Sequence, residues 1–149
     1  MTLIQSGDPL AHDALESLLL AEASVRRRLA ADLEREGLSA SGFSVLMVLS
    51  ASGGELELRA LRARLRTSKA NATEVVTTLE TRGMVQRFRL AHDRRAASVR
   101  LTMQGRELVD RLAPEHTRRV ADAFAMLDEA EKRMLADICR KLAVAPAAV

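Results

Sequence analysis

A chain of 149 residues that is 48% hydrophobic and carries a net charge of +3 can bury a core without disulfide or metal staples, and is too apolar for wholesale disorder. Aromatics are only 2%, three Phe with no Trp or Tyr, so the core falls to Leu, Val, Ala and Met, which favours helices. The single Cys139 leaves no intramolecular disulfide and no Cys-based zinc site. Residues 1–9 lack the basic start and apolar run of a secretory leader, and no stretch approaches the ~18 apolar residues of a membrane span. These features predict a soluble, cytoplasmic protein with no cofactor or metal motif.

The first helix is expected over about residues 9–36. Asp8 can cap it, Pro9 suits its first position, and Leu15, Leu18, Leu19, Val25, Leu29 and Leu33 recur at helical spacing before Gly37 stops it. So long an apolar stripe is more than a small domain buries alone, which points to a second subunit. Ser39 or Ser41 caps a second helix through Phe43, Val45, Leu46, Val48 and Leu49, ending before Gly53-Gly54. Glu55-Leu56-Glu57 reads as a short strand. Leu58, Leu61 and Leu65 mark a third helix of about eight residues. Thr67-Ser68 breaks it and caps a fourth, which runs to Gly83.

Past Gly83 the period changes to alternation. Met84, Val85, Phe88 and Leu90 interleave with Gln86, Arg87 and Arg89, residues 91–95 form a polar turn, and Ser98-Val99-Arg100-Leu101 returns as a second strand. Thr102 caps the next helix, carrying Leu108, Leu112, Val120, Phe124 and Leu127, with Pro114 expected to kink or restart it. Asp128-Glu129-Ala130-Glu131 resembles a capping box and opens a last helix with Met134, Leu135, Ile138 and Leu142. The tail from Ala143 is expected to fray.

The charge is unevenly spread. Between Arg59 and Arg106 there are twelve Lys/Arg against three Asp/Glu, a balance of +9, so the remainder carries −6. A basic middle between acidic ends predicts a polyanion partner for that middle. Its element order, helix, short strand, helix, tight turn, helix, hairpin, is that of a winged helix-turn-helix. The second helix of such a pair enters the DNA major groove, about 12 Å wide. On the fourth helix Ala72, Val75, Val76 and Leu79 point inward. Ala70, Asn71, Thr73, Glu74, Thr77, Thr78 and Thr81 point outward.

Thr is a poor helix former, so this outward row suits base edges, where thymine offers a methyl and bases offer acceptors. The plainer reading is a helix facing water. Ser68 and Lys69 at the helix start suit phosphate. Arg82, Arg87, Arg89, Arg94, Arg95 and Arg100 surround the hairpin with no Lys among them, and its tip is shaped for a minor groove. Asp93 is expected to hold an Arg side chain by a charge-assisted hydrogen bond. A solvated charged turn is the plainer reading here.

The runs Ser68-Lys69-Ala70-Asn71-Ala72-Thr73 and Leu79-Glu80-Thr81-Arg82-Gly83-Met84-Val85, followed by Asp93-Arg94-Arg95 and Val99-Arg100-Leu101-Thr102 with Gly105, strongly resemble the MarR family of bacterial regulators. The family's Asp-x-Arg, Leu-Thr and Gly pattern is matched at Asp93, Arg95, Leu101, Thr102 and Gly105. Its Leu-Glu, Arg-Gly and Val-x-Arg pattern is matched at Leu79-Glu80, Arg82-Gly83 and Val85-Gln86-Arg87. The resemblance covers residues 38–105 in motif and nearly the whole chain in layout.

It implies a mainly α fold with a β-hairpin wing and three parts: an N-terminal dimerisation helix (1–37), a winged helix-turn-helix (38–101) and C-terminal dimerisation helices (102–149). It also implies a homodimer on double-stranded DNA with a pseudo-palindromic operator, repression, and release by a small apolar or aromatic effector. The implied DNA-facing set is Ser68, Lys69, Asn71, Thr73, Glu74, Thr77, Thr78, Arg87, Arg94 and Arg95, with Asp93 stabilising the wing. Two positions depart from the pattern. Glu74 stands where many members are basic, and either accepts from a cytosine amino group or pairs with a neighbouring Arg. Pro114 interrupts the long dimer helix.

Regulation is less legible. The peroxide-sensing branch of the family uses an N-terminal cysteine, absent here. The urate-responsive branch relies on a Trp, also absent. Cys139 is expected as a small buried hydrophobe, with Arg140 and Lys141 leaving a redox role open. His12, His92 and His116 are too scattered to define a metal site; His92 belongs to the wing surface, and His12 meets His116 only if the first and fifth helices pack together. A winged-helix protein acting through protein partners is the alternative to DNA binding. Nothing marks an enzyme: no nucleophile with a base, no paired carboxylates, no phosphate-binding Gly loop.

Overall fold

A computed structural model describes residues 7–144. The elements are α1 (Pro9–Arg35), α2 (Ala40–Ala51), β1 (Glu55–Glu57), α3 (Leu58–Leu65), α4 (Lys69–Thr81), β2 (Val85–Arg89), β3 (Ala97–Leu101), α5 (Met103–Ala123) and α6 (Glu129–Val144). The expected tail from Ala143 is helical to Val144, and the rest of it, like residues 1–6 of the supposed non-leader, lies outside the described residues. No helix among the described residues is long and apolar enough to cross a membrane.

The helix starts follow their caps. Asp8 accepts from the Leu10 N–H, Ser39 from Gly42, Ser68 from Asn71 and Thr102 from Gly105, each near 3 Å. The capping box at α6 forms reciprocally: Glu131 N–H donates to Asp128 Oδ1 and Asp128 N–H to Glu131 Oε2, both at 2.9 Å. Pro114 does not restart α5, which runs unbroken through it. The bond Pro114 cannot make would fall on the carbonyl of Asp110, an exposed residue.

The hairpin gains a third strand. β3 lies centrally with β2 on one side and β1 on the other, all antiparallel, pairing Leu56 with Val99 and Arg87 with Val99 across the two ladders. Around this sheet sits one core of Phe43, Val45, Leu46, Leu49, Leu61, Val76, Leu79, Met84, Val85, Val99 and Leu101, extended by Leu33 of α1 and Leu108, Val109 and Leu112 of α5. The core ends there. Leu33 is the only buried residue described in the 27-residue α1, and α6 buries none. Leu10, Leu15, Leu18, Leu19 and Leu20 of α1 and Met134, Leu135, Ile138 and Leu142 of α6 stand exposed on the single chain.

Two motif residues are explained by one contact. Thr102 Oγ1 accepts the Gly105 N–H and donates to the Gly83 carbonyl at 2.6 Å, tying the start of α5 to the turn after α4. The first turn of α5 then lies so close to that turn that a Cβ at Gly105 would sit 2.1 Å from the Met84 carbonyl oxygen.

Candidate nucleic-acid interface

The candidate interface is built on α3, α4 and the wing. Ala72, Val76 and Leu79 anchor α4 in the core and Val75 is half-buried, as the wheel requires. Asn71, Glu74, Thr77, Thr78 and Thr81 face outward, and Thr73 is half-buried. At the helix start Asn71 Nδ2 donates to Thr67 Oγ1 at 2.6 Å, which fixes the amide, and Lys69 is exposed. The threonine hydroxyls are not loose. Thr77 donates to the Thr73 carbonyl (2.8 Å), Thr78 to Glu74 (3.1 Å) and Thr81 to Thr77 (3.0 Å). Glu74 makes no ion pair among the described residues, so its expected pairing with an Arg is not seen in the free protein.

The wing corrects two expectations. Asp93 does not hold a guanidinium. Its Oδ1 accepts the backbone N–H of Arg95 at 3.0 Å, closing an Asx turn, and its own carbonyl accepts from Ala96. The short side chain reaches its own turn before any guanidinium, and the brace on the tip comes instead from Arg89, which donates to the Arg94 carbonyl at 2.8 Å. The tip is thereby ordered while Arg94 and Arg95 are exposed, with no ion-pair partner among the described residues.

Arg87, expected among the free DNA-facing cations, is partly spent. Its Nε donates to Glu80 Oε2 (2.9 Å) and its backbone N–H to Oε1 (3.0 Å), fastening β2 to α4. The register allows this because β2 starts directly after α4 turns at Gly83. The Arg87 backbone N–H, more than its guanidinium, holds the Glu80 carboxyl below its ordinary range. Arg100 is engaged too, bonded to Glu55 Oε2 at 2.9 Å and lying 4.4 Å from the Phe88 ring centre.

The structure adds cations that the sequence reading left out of the site. A cleft of about 550 Å3 between α3, the start of α4 and the wing is lined by Arg59, Arg62, Lys69, Arg89 and Arg95, with Glu57 and Asp93 as its only acids. Arg62 Nε is buried without a hydrogen-bond partner among the described residues. Arg59 and Arg62 are three apart on α3, a spacing that puts both on one helix face and was present in the sequence to be read.

Away from this face, His116 packs edge-on to Phe43 with ring centres 4.9 Å apart, and burial pushes its imidazole below the usual histidine range. His92 is exposed on the wing. Cys139 is exposed, not buried, because the described residues bury no residue of α6. It lines an apolar groove of about 530 Å3 with Val120, Ala121, Phe124, Lys132, Leu135 and Ala136.

The MarR family model matches residues 38–97. No curated protein matches the chain. Several solved structures match it along nearly their whole length. A MarR-family transcriptional regulator of Streptomyces coelicolor, solved in complex with DNA, is 24% identical with a TM-score of 0.85, over 99% of this chain and 95% of its own. The PcaV transcriptional regulator of Streptomyces coelicolor, solved with its natural ligand, is 26% identical with a TM-score of 0.79, over 95% and 99%. BpsR of Bordetella bronchiseptica, whose DNA binding is regulated by 6-hydroxynicotinic acid, is 24% identical with a TM-score of 0.78, over 88% and 93%. The winged segment thus matches the MarR family model, and the whole chain shares the fold of solved MarR-family regulators.

Proposed function

We propose that the protein is a homodimeric, sequence-specific DNA-binding transcriptional regulator, not an enzyme, that represses until a small apolar or aromatic effector releases it. The observation that carries this reading is the cleft beside α4, where Arg59, Arg62, Lys69, Arg89 and Arg95 converge next to an outward face of Asn71 and Thr side chains. Cations left unpaired on one side of a fold are an electrostatic footprint for phosphate. In this reading α4 enters a major groove, Ser68 and Lys69 lie against its phosphates, and Arg94 and Arg95 reach the adjacent minor groove. Arg87 orders the wing against α4 in place of a free phosphate contact.

The same reading divides the chain. Residues 38–101 read DNA, and residues 1–37 and 102–149 form the dimer. Support for the dimer is the pair of helices that cannot be satisfied alone: α6 buries nothing and α1 almost nothing, while both expose Leu, Ile or Met stripes. Cys139 then lies on a covered face, which disfavours the redox alternative. The effector is inferred from PcaV and BpsR, each described with a small-molecule ligand.

Selection of bound sequences from random duplex DNA tests the proposal. The expected product is two inverted half-sites one turn apart, about 10–10.5 bp, bound with an affinity that falls steeply between ~50 and ~200 mM salt. No enrichment, or salt-insensitive binding, would instead favour a winged-helix protein that acts through protein partners. Repeating the selection with small aromatic acids present reads the effector directly.

A further inference from the structure

Arg82 counts sequentially among the wing arginines, yet its side chain turns away from the wing. It is the last residue of the α4 turn, and its guanidinium spans to the far end of another helix. Nη1 donates to the Gly37 carbonyl and Nη2 to the Glu36 carbonyl, both at 2.6 Å. These two carbonyls end α1, where Gly37 takes a left-handed φ of +66° and closes the helix. The carbonyl end of a helix carries partial negative charge, and a planar fork with two parallel N–H groups fits two successive carbonyls as no ammonium does.

The Glu36 carboxylate is gripped separately by Arg111 of α5. The bend between α1 and α2 is therefore held from two sides, by α4 and by α5. Helix α1 packs on α5 and α2 and makes no broad contact with α4, so Arg82 is a direct tie between the dimer scaffold and the recognition helix.

We infer that Arg82 is a positioning residue that fixes the angle of the recognition helix to the dimer scaffold, and so sets which half-site spacing the protein accepts. The inference rests on the proposed reading of a dimer bound to two half-sites. Spacing is a demanding readout, since one inserted base pair moves a half-site about 3.4 Å along the duplex and rotates it by about 34°. A rigid tie makes that shift costly, and a slack one absorbs it.

The test uses the full chain as wild type, Arg82→Met and Arg82→Lys. Each is titrated with the selected operator, with operators whose spacer is one base pair longer or shorter, and with a single half-site duplex. Wild type is expected to lose roughly tenfold or more on either spacer change, a penalty of the size a mismatched base pair brings. Arg82→Met is expected to keep half-site affinity and the salt slope of wild type within about twofold, while its spacer penalty shrinks to about threefold or less. Arg82→Lys, able to reach one carbonyl but not both, is expected between the two, and it carries the test if Arg82→Met does not fold.

An unchanged spacer penalty in both variants would overturn the inference. So would a loss of half-site affinity with a shallower salt slope, which would make Arg82 an ordinary phosphate contact. If wild type bound no duplex, the proposed function would fall first and the inference with it.

Discussion

Replacing Gly105 by Ala sets two opposed effects against each other, and the geometry decides the sign. In a helix interior Ala is favoured over Gly by about 1 kcal/mol. Against this, the new Cβ would lie 2.1 Å from the Met84 carbonyl oxygen and 3.2 Å from Leu101 Cδ2. Carbon and oxygen need roughly 3 Å or more, so backbone must part from backbone by close to an ångström. No rotamer relieves the 2.1 Å contact, because the Met84 oxygen is main chain and a Cβ is fixed by its own backbone. Overpacking costs about 1–3 kcal/mol where side chains can give way, and this case belongs at the upper end or beyond.

The same displacement strains the 2.6 Å bond from Thr102 to Gly83 beside it. The net expectation is destabilisation of about 2 kcal/mol, a drop in Tm of roughly 4–8 °C for a chain of this size. Calorimetry of both proteins at one protomer concentration measures it. An unchanged or raised Tm in Gly105→Ala would refute the close approach of α5 to the turn after α4.

Arg95→Ala should weaken operator binding several-fold while leaving Tm within about 1 °C, because the side chain has no ion-pair partner among the described residues and only the backbone N–H of Arg95 serves the turn. Loss of Arg59 and Arg62 together should weaken all duplexes alike and lower the salt slope by roughly two, as measured by titration at several salt concentrations. Glu80 gives a pH dependence of known sign. Its folded pKa is depressed, so its stabilising contribution is present above the unfolded value of about 4.3 and is lost as pH falls through the lower folded value. The Tm gap between wild type and Glu80→Gln should be widest near pH 7 and close on acidification below about pH 4; a gap independent of pH would contradict the assignment.

Most of the element boundaries were legible because each rests on local chemistry. A cap at Asp8, Ser39, Ser68, Thr102 or Asp128 and a stop at Gly37 or Gly83 act within one turn, so a single sequence displays them. What stayed hidden depends on partners far apart in the chain. The β1–β3 ladder joins residues more than forty positions apart, and so do the Arg82 bonds to Glu36 and Gly37.

The arginines show the limit most clearly. Six of them between Arg82 and Arg100 read as one basic cluster, yet Arg82, Arg87 and Arg100 are engaged inside the protein while Arg94 and Arg95 have no ion-pair partner among the described residues. Charge counts cannot separate these uses. At Pro114 the expected restart does not occur: α5 continues through it, and the carbonyl left without a donor belongs to Asp110, an exposed residue.

The back-bonded threonines of α4 bear on which bases the helix can accept. Each of Thr77, Thr78 and Thr81 has its hydroxyl proton committed to the helix, and Asn71 has one amide proton committed to Thr67. What remains outward is a row of methyl groups and lone pairs, joined by the Glu74 carboxylate. Such a face accepts hydrogen bonds far more readily than it gives them. In the major groove every base pair offers one amino donor, on adenine or on cytosine, so the donor alone does not choose between them; the thymine methyl, absent from a G·C pair, is what a row of threonine methyls favours. In the proposed reading, with α4 in a major groove, these methyls favour A·T pairs where the threonines dock, while the Glu74 carboxylate can accept from either an adenine or a cytosine amino group.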